Sequence, residues 1–117
     1  TTCLLLRTTG RKTGHARILP LIYGDTGGEV VIVASKGGAD IHPAWYLNMQ
    51  GGGEVAFQIG GQAFECSWRE PDGTEHDEVW AFMEKLYPPY KVYRAGTKRK
   101  IPLIMMKATK AIDSFKA

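Results

Sequence analysis

A chain of 117 residues, 44% apolar and 23% charged, holds one domain, 1–117, and its mix is that of a folded protein rather than a disordered one. No apolar run nears the roughly 18 residues of a membrane-spanning helix, which excludes an integral helical membrane protein but not one resting on a membrane surface. The net charge of +3 hides a division: Arg7, Arg11, Lys12 and Arg17 stand unopposed in residues 1–24, residues 25–84 are acidic on balance, and residues 85–117 hold nine cations against Asp113. Basic ends that meet in space would make one positive surface suited to an anionic partner.

In chain order, residues 3–8 read as a buried strand and Thr9 to Gly14 as a polar turn. Residues 16–23 resume a strand, with Pro20 marking it as an edge or a bulge. Asp25-Thr26-Gly27-Gly28 signals a hairpin turn, and residues 29–35 form the most β-branched run of the chain. Lys36-Gly37-Gly38 breaks that strand. Pro43 opens about two helical turns over 43–50, stopped by Gly51-Gly52-Gly53. Residues 54–59 and 62–69 alternate around Gly60-Gly61 as a second hairpin.

Thr74 is placed to cap a helix whose first turn carries Glu75, Asp77 and Glu78 and whose apolar face is Val79, Phe82, Met83 and Leu86. Pro88-Pro89 ends it, and residues 89–95 form a short turn with Tyr90 and Tyr93 on one face. Residues 101–106 make the last strand, and 108–117 a weakly amphipathic tail. The order β-β-β-α-β-β-α-turn-β, mostly hairpins, predicts a mainly β (α+β) fold of six strands, a small barrel or open sheet. Cys3 and Cys66 sit in apolar runs as buried free thiols, and nothing points to a metal site. No signal peptide is visible, and a start at Thr1 in mid-pattern suggests a segment upstream.

Four motifs carry chemistry. Gly10-Arg11-Lys12-Thr13-Gly14 sets two cations and a hydroxyl between permissive glycines, donors suited to phosphate, although its spacing is not that of a Walker loop. Ala34-Ser35-Lys36-Gly37-Gly38 ends a strand with a hydroxyl, a cation and room for close approach to the backbone. Pro43-Ala44-Trp45-Tyr46-Leu47-Asn48 offers rings that pack either a flat ligand or the core. Tyr87-Pro88-Pro89-Tyr90-x-x-Tyr93 packs three tyrosines into seven residues, as substrate contacts or as a rigid aromatic plug. Lys98-Arg99-Lys100 lacks any nucleic-acid fingerprint beside it, and the acidic helix argues against a nucleic-acid face. No Ser-His-Asp or Cys-His set is evident, and His42 has no partner in sequence.

Taken in order with Ile101-Pro102, these motifs resemble the deazaflavin (F420)-dependent nitroreductase family of actinobacteria over residues 3–106. That resemblance implies a split β-barrel related to the flavin-reductase and pyridoxamine-phosphate-oxidase folds, with short helices. It implies reduced coenzyme F420 as hydride donor to a quinone-like, nitroaromatic or other electron-poor acceptor. The cofactor's phosphate and acidic tail would lie on Arg11, Lys12, Thr13 and Arg17, with Ile18 and Leu19 alongside. Val33, Ala34, Ser35 and Lys36 would line the deazaflavin and tail, and Ala44, Trp45, Tyr46, Leu47 and Asn48 the ring. Tyr87, Tyr90 and Tyr93 would face the acceptor, Tyr90 foremost. A tail of several negative charges suits a groove with Arg11, Lys12, Arg17 and Lys36. The remaining expectations are a small-molecule acceptor, no nucleic acid, a cytoplasmic protein with possible peripheral membrane contact, and a monomer or homodimer. The rivals are an FMN-dependent oxidoreductase on the same barrel and a non-catalytic F420 carrier.

Overall fold

The computed structural model describes residues 2–115. Its strands are β1 (Cys3–Thr9), β2 (Ala16–Ile22), β3 (Gly24–Thr26), β4 (Glu29–Val33), β5 (Ala56–Ile59), β6 (Gln62–Arg69) and β7 (Leu103–Ile112). The helices are α1 (Ala44–Gln50), α2 (Gly73–Leu86) and α3 (Pro89–Ala95), with a 3-10 turn at Lys36–Gly38. All seven strands join one sheet in the order β2-β1-β5-β6-β7-β4-β3, every pairing antiparallel. The sheet curls until its edge strand β2 approaches β4 without pairing to it, leaving a seam. This is a half-closed barrel, as the hairpin pattern and the resemblance both led one to expect.

Strand β4 and the first four residues of β7 are buried on both faces, which is why they read as continuous apolar runs rather than alternating ones. On β4, Val30 and Ile32 enter one core with Leu4, Leu6, Trp45 and Phe57, while Val31 and Val33 enter a second with Val79, Trp80, Met83 and Tyr90. On β7, Ile104 and Met106 join the first core and Leu103 and Met105 the second. The first core fills the barrel, and the second is the layer under α2 and α3. Pro20 lies opposite Leu5 on the edge strand β2, the part of a sheet where a proline is tolerated.

Several boundaries differ from expectation. A seventh strand, β3, follows β2 almost without a break, because Gly24 lets the chain pass close under α2, where an added Cβ would lie 2.7 Å from the Met83 sulfur. Strand β7 begins two residues later and runs on to Ile112, so residues 108–112 pair with β6 instead of forming a tail. Residues 116 and 117 of that expected tail lie outside the described residues. Asp72, not Thr74, stands at the cap of α2, its carbonyl accepting the His76 N–H at 3.2 Å. Pro43 is the cap residue of α1 rather than its first helical one.

Cys3 is exposed rather than buried, since the inward positions of β1 are Leu4, Leu6 and Thr8. Cys66 is half-buried, and burial pushes its thiol up to about 12. Arg69 clasps Glu29 of β4 at 2.9 Å and Glu75 of α2 at 2.7 Å, tying the acidic middle of the chain to the sheet. Hydrogen bonding to Arg69 holds the Glu75 carboxyl below the usual carboxylate range.

Candidate functional site

A cavity of about 730 Å³ opens at the seam between β2 and β4, with α1 as its floor. β2 contributes Arg17, Ile18, Leu19 and Leu21; the end of β4 and the turn after it contribute Val33, Ser35, Lys36 and Gly37; the start of α1 contributes Pro43, Ala44, Trp45 and Asn48. Strand β2 is rich in apolar residues yet none of it is fully buried, and Ile18 is 44% exposed. An uncovered apolar strand beside a concave wall is what a ligand site leaves open. Two cations, Arg17 and Lys36, face this space, and no acid lines it.

The wall between β4 and α1 is a short irregular segment. Lys36 has φ +47°, a left-handed conformation costly for a residue with a Cβ, and Gly37 and Gly38 continue at +63° and +85°. Glycine is required at 38, where a Cβ would lie 3.0 Å from the Tyr93 backbone on α3. The segment is held from outside by Arg99. Its Nη2 donates to the Ser35 carbonyl at 2.7 Å, its Nε to the Ala39 carbonyl at 2.8 Å, and its Nη1 meets His42 Nδ1 at 3.0 Å.

The Gly10–Gly14 turn closes on itself, Gly10 donating to the His15 carbonyl and Gly14 to the Gly10 carbonyl, both at 2.8 Å. It is fastened to α1 by one buried amide. Asn48 Oδ1 accepts the Arg11 backbone N–H at 3.2 Å and Arg11 Nη1 at 2.9 Å. The glycines after α1 make this approach feasible: a Cβ on Gly53 would sit 2.6 Å from the Thr9 Cβ. Arg11 is therefore joined to the cavity through Asn48, whereas Lys12 and Thr13 are exposed at the turn tip and do not line it.

The cavity thus collects Arg17, Ile18, Leu19, Val33, Ser35, Lys36, Ala44, Trp45 and Asn48 from the expected set. Ala34, Tyr46 and Leu47 are elsewhere, for a periodic reason. Successive strand residues face opposite sides, so Ala34 enters the barrel core while Val33 reaches the cavity. At 100° per residue, Ala44, Trp45 and Asn48 share one helical face that excludes Tyr46 and Leu47. The Tyr46 hydroxyl donates to Glu70 at 2.8 Å and accepts from Gln50 Nε2 at 2.9 Å behind the helix; burial, then that bond to Glu70, pushes it up to about 12.

The three tyrosines form their own cluster, with Tyr87–Tyr90 and Tyr90–Tyr93 centroids 4.9 and 6.1 Å apart, in edge-to-face contact. They do not line the cavity but stand behind Val33, which touches both. Tyr90 is buried among Tyr87, Tyr93 and Trp80, and desolvation raises its hydroxyl well above the ordinary tyrosine value, so it remains protonated at neutral pH. Gly37 and Pro43 line the cavity from within the expected motifs, whereas Leu21 and Arg99 were not foreseen. Leu21 alternates with Arg17 and Leu19 along β2, a signal the sequence did carry; nothing in the run Lys98-Arg99-Lys100 distinguishes the one side chain that turns inward.

The site is an open apolar seam in a half-closed barrel, faced by the cations Arg17 and Lys36, and the class of protein it belongs to follows from its relatives. The family model for F420H2-dependent quinone reductases matches residues 1–108. The chain is 33% identical over 106 residues to an F420H2-dependent quinone reductase of Mycobacterium tuberculosis, covering 88% of this chain and 71% of that protein. It superposes on the solved F420-H2 dependent reductase FDR-A with a TM-score of 0.82 at 36% identity, covering 91% of this chain and 94% of the other. A domain-swapped dimer matches with the same TM-score and identity, over 80% of its chain. The heme storage protein HutZ of Vibrio cholerae, at 10% identity and a TM-score of 0.71, shares the fold alone. The chain belongs to the F420H2-dependent quinone reductase family, an oxidoreductase whose cofactor is reduced coenzyme F420.

Proposed function

We propose that the seam cavity is the F420 site and that the enzyme reduces a quinone-class acceptor. The observation that carries this reading is the uncovered apolar wall of β2 facing Lys36, with Arg17 beside it and no opposing acid. The chemistry of the lining fits the group: a flat apolar ring suits Ile18, Leu19, Leu21, Val33 and Trp45, and a phosphate with an acidic tail suits Arg17, Lys36 and the nearby turn cations Arg11 and Lys12. FMN has the phosphate without the acidic tail, so the turn cations Arg11 and Lys12, outside the cavity and within the span of a longer anionic tail, favour F420 over that rival.

When bound, F420 supplies the hydride. What remains for the chain is to hold donor and acceptor in register, exclude water and offset charge developing on the acceptor. Trp45 of α1 and Val33 of β4 both line the ring space. Tyr90, buried behind Val33 and kept protonated, is in this reading the hydrogen-bond donor to the acceptor. No described helix is long and apolar enough to cross a membrane.

The test is oxidation of reduced F420, without oxygen, by a soluble quinone and by a nitroaromatic in parallel. The reading predicts faster turnover with the quinone. Tight F420 binding with no oxidation by either compound would make the protein a carrier and overturn the reading.

A further inference from the structure

We propose that Arg99 is a positioning residue of the deazaflavin site, shaping a cavity it does not itself line; this rests on the reading of the seam as the F420 site. The segment between Val33 and Ala44 supplies Ser35, Lys36, Gly37 and Pro43 to the cavity, yet it belongs to no strand ladder. Its ends are anchored by backbone bonds, Ala34 N–H to the Pro102 carbonyl and the Tyr46 and Leu47 N–H groups to the Pro43 carbonyl, but between Ser35 and His42 the backbone bonds are two short-range ones, Gly38 N–H to Ser35 and Ala39 N–H to Lys36. It also contains the left-handed Lys36, a conformation that persists only where the surroundings impose it.

Arg99 imposes it. One planar guanidinium donates to the carbonyls of Ser35 and Ala39, which bracket the strained turn, and to His42 Nδ1 just before α1. Guanidinium has no acceptor, so His42 must accept there and carry its proton on Nε2. Thr97 Oγ1 adds a bond to Asp40 Oδ1 at 2.7 Å, so residues 97–99 strap the segment at four points from Ser35 to His42. Three donors spread in a fixed fork are beyond a lysine, whose ammonium is a point charge. All of these contacts go to one segment and none to either core, so their loss frees the wall rather than the fold.

A wall in the competent shape only a tenth of the time binds about tenfold more weakly. Arg99→Ala and Arg99→Lys are therefore compared with Lys36→Ala, reading F420 affinity by fluorescence titration and amide hydrogen exchange in the cofactor-free protein. The expected result is about a tenfold rise in F420 Kd for both Arg99 variants, with faster exchange at Gly38 and Ala39 and unchanged exchange in β4 and β7. The acceptor KM should stay constant, and millimolar guanidinium should restore affinity to Arg99→Ala but not to Lys36→Ala. Thr97→Val, which cuts the strap without removing a charge, should give the same pattern more weakly, and it serves if Arg99→Ala does not fold. Weakened binding in Lys36→Ala with wild-type affinity and exchange in both Arg99 variants and Thr97→Val would overturn the positioning role and leave the site standing. Wild-type affinity in all four would overturn the site and the inference together.

Discussion

Asn48 does two things with one side chain: it fastens the basic turn to α1, and it forms part of the cavity wall. Two substitutions separate them. Asn48→Ala removes both bonds from Oδ1 to Arg11, one neutral and one charge-assisted. Net hydrogen bonds of these kinds are worth about 1 and about 1.5–3 kcal/mol, so a partly exposed pair comes to roughly 2 kcal/mol. For a domain of this size that lowers the thermal midpoint by on the order of 5–10 °C. Asn48→Asp keeps the Oδ1 acceptor for both bonds and adds a charge pair with the Arg11 guanidinium, so the midpoint should stay within about 2 °C. It also sets one negative charge on the wall of a cavity proposed to hold an anionic ligand. A like charge near a protein surface costs roughly 1–4 kcal/mol, so F420 affinity should fall about tenfold or more at low salt. Added salt should narrow the difference, because it screens the repulsion. The assays are a thermal melt and a fluorescence titration at two ionic strengths. Undiminished F420 binding by Asn48→Asp at low salt would refute the placement of the anion against this wall.

Lys36→Gly should raise stability by about 1 kcal/mol, because glycine adopts φ +47° without strain, and should weaken F420 at least about fivefold by removing a cavity cation; a melt and a titration on the same sample check both signs. Tyr90→Phe should lower kcat by at least about tenfold with little change in F420 affinity. Because the Tyr90 hydroxyl is raised, it holds its proton from below its ordinary value upward, so that deficit should be flat between roughly pH 6 and 9; a deficit that vanishes at the acid end would assign the effect to another group. Thr8→Val should stabilise the fold by about 1 kcal/mol, since the Thr8 hydroxyl is buried without a hydrogen-bond partner among the described residues; a loss of similar size in chemical denaturation would show that the hydroxyl is satisfied.

Hairpins were legible because glycines and alternation mark them locally: Gly60-Gly61 between two alternating runs led to β5 and β6, with β6 matching at 62–69. The end of β7 was not legible. Residues 107–111 carry lysines and alanines with no apolar alternation, and they become a strand through pairing with the far β6, a tertiary effect that propensity does not record. The site was half legible. Contiguous motifs pointed to the right segments but treated every residue in them alike, and strand and helix periodicity then sent Ala34, Tyr46 and Leu47 to other faces. The C-terminal charge is the clearest case of what sequence hides. Lys98-Arg99-Lys100 looks like a solvated basic run, and only the path of the chain past Ser35 and His42 makes its middle residue a clamp.

The central claim is that the seam between β2 and β4 binds F420 by its apolar wall and its cations. Side-by-side titration of the protein with F420 and with FMN, repeated on Lys36→Ala, tests it most directly. The account predicts micromolar or tighter binding of F420, much weaker binding of FMN, and an F420 affinity reduced at least about fivefold in the variant, most strongly at low salt. Micromolar binding of FMN with none of F420, or F420 bound equally by Lys36→Ala and the wild type at low salt, would contradict it.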